Sequence, residues 1–479
     1  NGLRPMRYSL THDGMLIVGS ETGMAPVEAE RIAERGAVTP GRLIALDLVE
    51  GRFYREPEIL DELAKSGPYE RWLESVEDIE PVVGPGAEPV LFDDDQRRAR
   101  QAAAGFSFES IELVLKEMAR AGKEAVGSMG DDTALAVLSD RYRPLSHFFR
   151  QTFSQVTNPP IDPLREGRVM GLKTRFRNLG NILGFGERQY NVMVLDSPIL
   201  TNGAFDRLRT HLGRTVHEID CTFGAETAAG DGQAMREALA AVMEQASDAI
   251  RGGAGHLVLT DMEQGESRLP LPMVLVAGAV HAHLTRQGLR NACSINVRSA
   301  ECFDGHYAAV LIGLGATTVN PYLAFSTVTA DRPAVGGDEW ARDRARHLKE
   351  ALDGALLKIL SKMGISIISS YRGGCNFEVL GLSRALVEAY LPGVVSRISG
   401  IGLPGLEAIA VDLHERAWQK HEAVSVGGFY TRRSSGERHA LSAQAISALQ
   451  KAVRYEDREA WSDYRKALAS EGPTQLRDL

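Results

Sequence analysis

The sequence predicts a multi-domain α/β protein, and three observations carry that expectation. Apolar runs alternate with helical periodicity across residues 192–325, the pattern of strand–helix repeats around a mainly parallel sheet. Residues 1–60 instead alternate apolar and polar around turn residues, as β-hairpins do. The 479-residue length exceeds what a single core supports, and a prior of about 150 residues per domain gives roughly three modules.

Taken in order, YSLTHDGMLIVGSETG reads as a hairpin turning at His12-Asp13-Gly14. GRLIALDLVEGRFYR at 41–55 reads as a second, turning at Glu50-Gly51. Between them, 25–36 reads as a short helix or turn. Helical periodicity follows at 57–75, and VVGPGAEPV at 82–90, with Asp93-Asp94-Asp95 after it, marks a linker. SFESIELVLKEMARAGKE is an amphipathic helix with Ser107 the favoured N-cap over Ser110. VMVLDSPIL, HLVLTDM and YAAVLIGLGA are read as strands. AMREALAAVMEQASDAIRG (234–252) and PMVLVAGAVHAHLTRQG (272–288) are read as the helices between them. Residues 343–392 read as mostly helical, and the chain turns charged and helical beyond about 405.

Hydrophobic residues at 44% and charged residues at 24% describe a folded protein rather than a disordered one. A net charge of −9 disfavours general nucleic-acid or membrane-surface binding. No run reaches the roughly 18 apolar residues of a membrane helix. The four cysteines, Cys221, Cys293, Cys302 and Cys375, are far apart with no CxxC pair. That usage suits a reducing, cytoplasmic compartment. The opening NGLRPMRY has no signal-peptide pattern and reads as a fragment.

Candidate chemistry is sparse. Gly400-Ile-Gly402-Leu-Pro-Gly405 formally matches GxGxxG, but a turn is the favoured reading over a dinucleotide site. Gly313-Leu-Gly315 ends an expected strand before Asn320, where either a phosphate or a plain βα turn fits. Ser128-Met-Gly-Asp131-Asp132-Thr133 and Thr157-Asn-Pro-Pro-Ile-Asp162-Pro-Leu-Arg165-Glu166 are the densest polar segments. Capping and hydrogen bonding are favoured there over a cation site. His281 and His283, two residues apart on a helix, point to different faces and make a poor metal pair.

Longer strings carry more. NGLRPMRYSLTHDG with SETG resembles the closing part of the class II glutaminase domain of the glutamate synthase large-subunit family. GKEAVGSMGDDTALAVLSDR, FFRQTFSQVTNPPIDPLRE and LIGLGATTVNPYLAF resemble its central domain. LLKILSKMGISIISSYRGGCNFEVLGLS and GGFYTRRSSGERHA resemble the passage into its FMN-binding barrel. Departures fall at His281-Ala-His283, at NVRSAECFDGHYAAV and at Arg372-Gly-Gly-Cys375.

The resemblance implies a domain plan. Residues 1–80 are the β-rich tail of an N-terminal-nucleophile amidotransferase domain, and 81–104 are a linker. Residues 105–330 are an α/β central domain, 331–404 a helical connection, and 405–479 the start of a (β/α)8-type FMN barrel. It also implies glutamine hydrolysis by an N-terminal cysteine, ammonia channelling, and FMN-dependent reduction of the imine formed with 2-oxoglutarate. Electrons would arrive through an iron–sulfur cluster from an NADPH-oxidising small subunit or ferredoxin. The family's catalytic, FMN and cluster residues match no position here, so no catalytic, cofactor or metal residue carries over and the isolated chain is expected to be inactive. Two other readings are a non-catalytic scaffold and an independent nucleotide-dependent oxidoreductase using the 400–405 glycines. A truncated barrel is expected to leave a strand edge open, making 405–479 the least protected stretch.

Overall fold

The computed structural model describes residues 6–39, 41–127, 130–152, 161–177, 179–181, 183–184, 186–433, 435–470 and 472–478. The chain divides into two compact units, 1–76 with 156–159 and 185–190, and the remainder.

The first unit is built on hairpins. Met6–Thr11 pairs antiparallel with both Leu16–Gly19 and Ile32–Val38. The turn falls at 12–14, with Gly14 at φ 84°. The 25–36 stretch, expected as a helix or turn, is instead a 3-10 turn at Ala29–Arg31 running into the strand Ile32–Val38. Pairing along Met6–Thr11 overrides the helical propensity of Ala and Glu there. The second hairpin joins Ile44–Asp47 to Arg52–Arg55. Asp47 Oδ1 accepts from Val49 N at 2.8 Å and Glu50 N at 2.9 Å, closing the turn. Trp72 stacks on Tyr190 at 5.1 Å.

The second unit centres on a four-stranded parallel sheet of Val216–Asp220, His256–Thr260, Ser294–Arg298 and Thr318–Asn320, neighbours in chain order. The helices Gln233–Arg251, Met273–Arg286 and Gly305–Gly313 make the three crossovers. His256–Thr260 is buried at every residue, as a central parallel strand covered on both faces must be. Met273–Arg286 is apolar nearly all round and lies in the core.

One strand expectation is overturned. YAAVLIG, read as a strand, is the helix Gly305–Gly313, and the strand is the short Thr318–Asn320 after it. A short apolar run is ambiguous between the two states, and local capping decides it. Asp304 Oδ1 accepts from Tyr307 N at 2.7 Å, an N-cap. Gly305 then sits where a Cβ would come 2.3 Å from the Ala355 Cβ, letting the long helix Gly337–Met363 close on it.

Two three-stranded sheets, and the two-stranded pair of Thr222–Gly224 with Arg268–Pro270, accompany this centre. Met193–Leu195, within VMVLDSPIL, is a strand but stands outside the parallel sheet, between Glu77–Asp78 and Thr174–Phe176. Phe377–Leu382 pairs with Val395–Ile401 and Phe149–Gln151, so the 331–404 connection contributes two strands as well as helices. Asp94–Ala103, inside the expected linker, is a helix with a capping box between Asp93 and Gln96. Beyond 402 the named elements among the described residues are helical, including Leu403–His414, Ala443–Tyr455 and Arg458–Ser470. The barrel edge expected there is therefore absent from the described residues. The segment docks instead through single bridges, Ser107 to Ser425 and Thr133 to His439. No helix among the described residues is long and apolar enough to cross a membrane.

Candidate functional site

Parallel α/β sheets place ligands beyond the carboxyl ends of their strands, so that edge is the first candidate. Here it is filled by the protein's own side chains. Asp261, fully buried after the second strand, accepts from Ala300 N at 3.1 and 2.9 Å through its two oxygens. Burial outweighs that hydrogen bonding and pushes its carboxyl up to about 7. The Arg298 guanidinium lies over Phe205 at 4.8 Å and Tyr322 at 5.6 Å. Gln264 Nε2 donates to Tyr322 Oη at 2.9 Å.

The helix Asp94–Ala103 closes the edge. Arg100 donates to Met262 O at 3.0 Å, and Gln101 donates to Thr327 Oγ1 at 2.8 Å. Asp220 holds Arg268 at 2.6 Å. Glu301 Oε2 accepts from Met273 N at 3.0 Å and from the Tyr307 hydroxyl at 2.5 Å. These carboxylates are committed to hydrogen bonds.

The residues singled out in the sequence are dispersed. Asp131 Oδ1 accepts from Thr133 N at 2.9 Å and from its hydroxyl at 2.6 Å. Asp132 Oδ1 meets His439 Nδ1 at 2.8 Å, and Asp132 O accepts from Ala440 N at 2.7 Å. Asp162 N-caps Pro163–Val169, accepting from Leu164 N and Arg165 N. Capping and hydrogen bonding thus account for both aspartate segments; Ser128 and Thr157–Pro160 lie outside the described residues. Among the described residues no group of three or more His, Cys, Asp and Glu is placed to hold a metal ion.

His281 Nδ1 accepts from Arg290 Nε at 2.9 Å, whereas His283 Nε2 lies 3.1 Å from Ser247 Oγ, so the pair does diverge. Burial, with Arg290 adding to it, lowers His281 to about 4. Gly315, at the end of a helix rather than a strand, has φ 116° and packs on His281, 2.3 Å from where a Cβ would stand. The 400–405 glycines do join a strand, Val395–Ile401, to a helix, Leu403–His414. A Cβ on Gly400 would nevertheless come 2.1 Å from Gly381 O. The glycine serves close strand approach. Cys221, Cys293 and Cys302 are buried, Cys375 is half-buried, and all four are free thiols raised by burial.

Sequence reasoning missed the carboxylates that bind the C-terminal segment. Glu109, fully buried, accepts from Phe429 N at 2.6 Å, Tyr430 N at 3.1 Å and Thr431 N at 3.1 Å. Three successive amides aimed at one anion form a nest. Gly427 and Gly428, at φ 83° and 82°, shape the approach to it, and that glycine pair is the signal the sequence offered. Glu407 accepts from Gly230 N at 2.8 Å and Met235 N at 2.9 Å. Glu437 accepts from Ser139 Oγ at 2.5 Å, with Arg143 Nη1 3.9 Å away. Ser107 is confirmed as the cap, its Oγ accepting from Ser110 N at 3.0 Å.

Along the chain, then, a hairpin unit is followed by a parallel α/β unit. The family model for the glutamate synthase central domain matches residues 99–383, and that for class-II glutamine amidotransferases matches residues 1–72. The chain belongs to the glutamate synthase central-domain family. It is 48% identical over its whole length to the NADPH glutamate synthase large chain of Azospirillum brasilense, covering 32% of that protein. It is 35% identical to the large chain from Bacillus subtilis, covering 31% of it. Identity is also 35% to ferredoxin-dependent glutamate synthase 1 of Arabidopsis thaliana, covering 30%. The chain therefore spans about a third of the length of these relatives. The flavin-binding domain of baker's yeast flavocytochrome b2 aligns at a TM-score of 0.30 and 9% identity, over 59% of this chain and 90% of that one. A likeness that low carries no argument.

Proposed function

We propose that this chain is the middle stretch of a glutamate synthase, an oxidoreductase that makes two L-glutamate from L-glutamine and 2-oxoglutarate. The observation that carries the reading is end-to-end identity of 48% to a glutamate synthase large chain, with the two family matches in chain order. In this reading residues 1–80 close the amidotransferase domain, 105–330 form the central domain, and 405–479 lead into the FMN-binding domain.

The segment supplies part of the scaffold through which ammonia released from glutamine reaches 2-oxoglutarate. At neutral pH ammonia in water is mostly ammonium, which has no lone pair to attack a carbonyl. A desolvating passage favours the neutral, reactive form. Rigid joints such as Glu109 on the 429–431 amides keep the two ends of such a passage in register.

FMN, when bound, supplies the hydride that reduces the imine, and an iron–sulfur cluster relays electrons to it. The residues here do not fit either group. The cysteines are dispersed, three of them buried and Cys375 half-buried, and Gly400 of the GxGxxG-spaced segment is packed against Gly381 O. Both groups, and the nucleophilic cysteine, belong to parts of the enzyme outside this chain. The electron donor is an NADPH-oxidising small subunit or ferredoxin, and free thiols suit a cytoplasmic setting.

The test is the full-length protein from the same source, assayed for glutamate formed from glutamine and 2-oxoglutarate with a reductant. Two glutamates per glutamine are expected, with none from the isolated chain. A full-length protein that binds FMN yet forms no glutamate from glutamine sinks the reading and favours a non-catalytic scaffold.

A further inference from the structure

A cavity of about 580 Å³ opens between the start of the helical stretch after Ser107, the 139–148 segment, the helix Leu403–His414 and residues 422–430. Its volume is that of a small-molecule pocket. Aromatic rings make much of its wall: Phe106, Tyr142, Phe148, Phe303, Phe429 and Tyr430. Phe106 and Phe303 meet edge to face at 5.4 Å, so part of the wall is fixed by packing.

Arg143 lines the same cavity, and its side chain is only 6% exposed. Its guanidinium lies over the Phe429 ring at 4.6 Å. Nη2 is satisfied by Thr133 Oγ1 at 3.1 Å and Ala134 O at 3.0 Å. Nε has no acceptor, and Nη1 stands 3.9 Å from Glu437, beyond hydrogen-bond reach. Glu437 itself accepts from Ser139 Oγ and from Arg438 N at 2.7 Å. A buried guanidinium whose Nε lacks an acceptor and whose Nη1 makes only a long ion pair, at an aromatic-walled cavity, can take a further anionic acceptor.

We propose that this cavity binds a small aromatic carboxylate, its ring against the aromatic wall and its carboxylate on Arg143. The site is separate from the reading above, which assigns it no role. The ring replaces water on apolar surface, and the carboxylate gives the guanidinium the acceptor it lacks.

Isothermal titration calorimetry of the 479-residue chain with 2-naphthoate and the neutral 2-naphthylmethanol tests this. The acid should bind about 10–100-fold more tightly than the alcohol, the span of one charge-assisted hydrogen-bonded contact. Arg143→Gln should erase that preference while leaving the alcohol's affinity unchanged. Because Arg143 also braces Thr133 and Ala134, a second variant guards against a folding defect. Ser425→Trp, at an exposed lining position, should abolish binding of both compounds by filling the cavity. Equal affinities for acid and alcohol, or binding that Ser425→Trp leaves intact, would overturn the proposal. So would no binding at ~1 mM, the weak limit of specific association.

Discussion

Between Val216 and Asn320, strands and crossover helices bury side chain after side chain, with Leu257, Leu259, Ile295, Val297 and Val319 all fully inaccessible. Between Leu403 and Asp478 the buried apolar side chains among the described residues are Leu403, Leu406 and the scattered alanines Ala417, Ala445, Ala452, Ala460 and Ala467. What fastens that second region is a set of acids with distant partners: Glu109 on the 429–431 amides, Glu407 on the 230 and 235 amides, and Asp132 on the His439 ring and the Leu441 amide. The first region is stabilised by area removed from water, which is non-directional and spread over many residues. The second depends on a few directional contacts, each costly to lose because a buried group is left unpaired.

The largest effect expected from breaking this contrast is in the sheet region. Leu259→Ala truncates a fully buried side chain of the central strand and should lower unfolding stability by about 2–5 kcal/mol in urea titrations. A loss close to zero would mean the core there is loosely packed.

Asp261 tests a large electrostatic term in the same region. Its folded carboxyl sits at about 7, above the unfolded value of about 4, so the folded state holds the proton longer. Its contribution to stability is therefore full below about pH 4 and declines as pH rises to about 7, by up to ~4 kcal/mol. Asp261→Asn should remove that decline, read as the parent-minus-variant difference in unfolding free energy across this window. His281, held neutral at about 4 when folded, works in the opposite sense, losing stability as pH falls below about 6.5. The difference between parent and variant cancels it.

In the second region, Glu407→Ala leaves the Gly230 and Met235 amides without acceptors and should cost about 2–3 kcal/mol. Hydrogen exchange should quicken at those amides before it quickens in the parallel sheet. The smallest effect belongs to exposed pairs such as Arg98 with Asp95. Asp95→Ala should leave the unfolding midpoint unchanged.

The same contrast explains what could be read from the sequence. HLVLT announced a buried strand because β-branched and leucine residues run unbroken. The helices Gln233–Arg251 and Met273–Arg286 lie within a residue or two of where periodicity put them. YAAVLIG failed because a short apolar run has no period to read, and the deciding Asp304 cap acts from outside it. Ser107 was legible as a local cap, but Glu109, two residues on, was not. Its partners lie more than 300 residues away and are main-chain atoms, which leave no mark on composition.

That separation has a temporal side. Phe429 follows Glu109 by 320 positions, so a ribosome adding about 5–20 residues per second delivers the amides roughly half a minute after the carboxylate. Until then Glu109 has no protein partner for its charge, and the start of its helix must stay open to water. The 105–150 region is thus held unfinished during synthesis, and completing it requires the late segment to arrive. Nascent chains stalled before residue 431 should remain protease-sensitive around Glu109, and chains released beyond it should not.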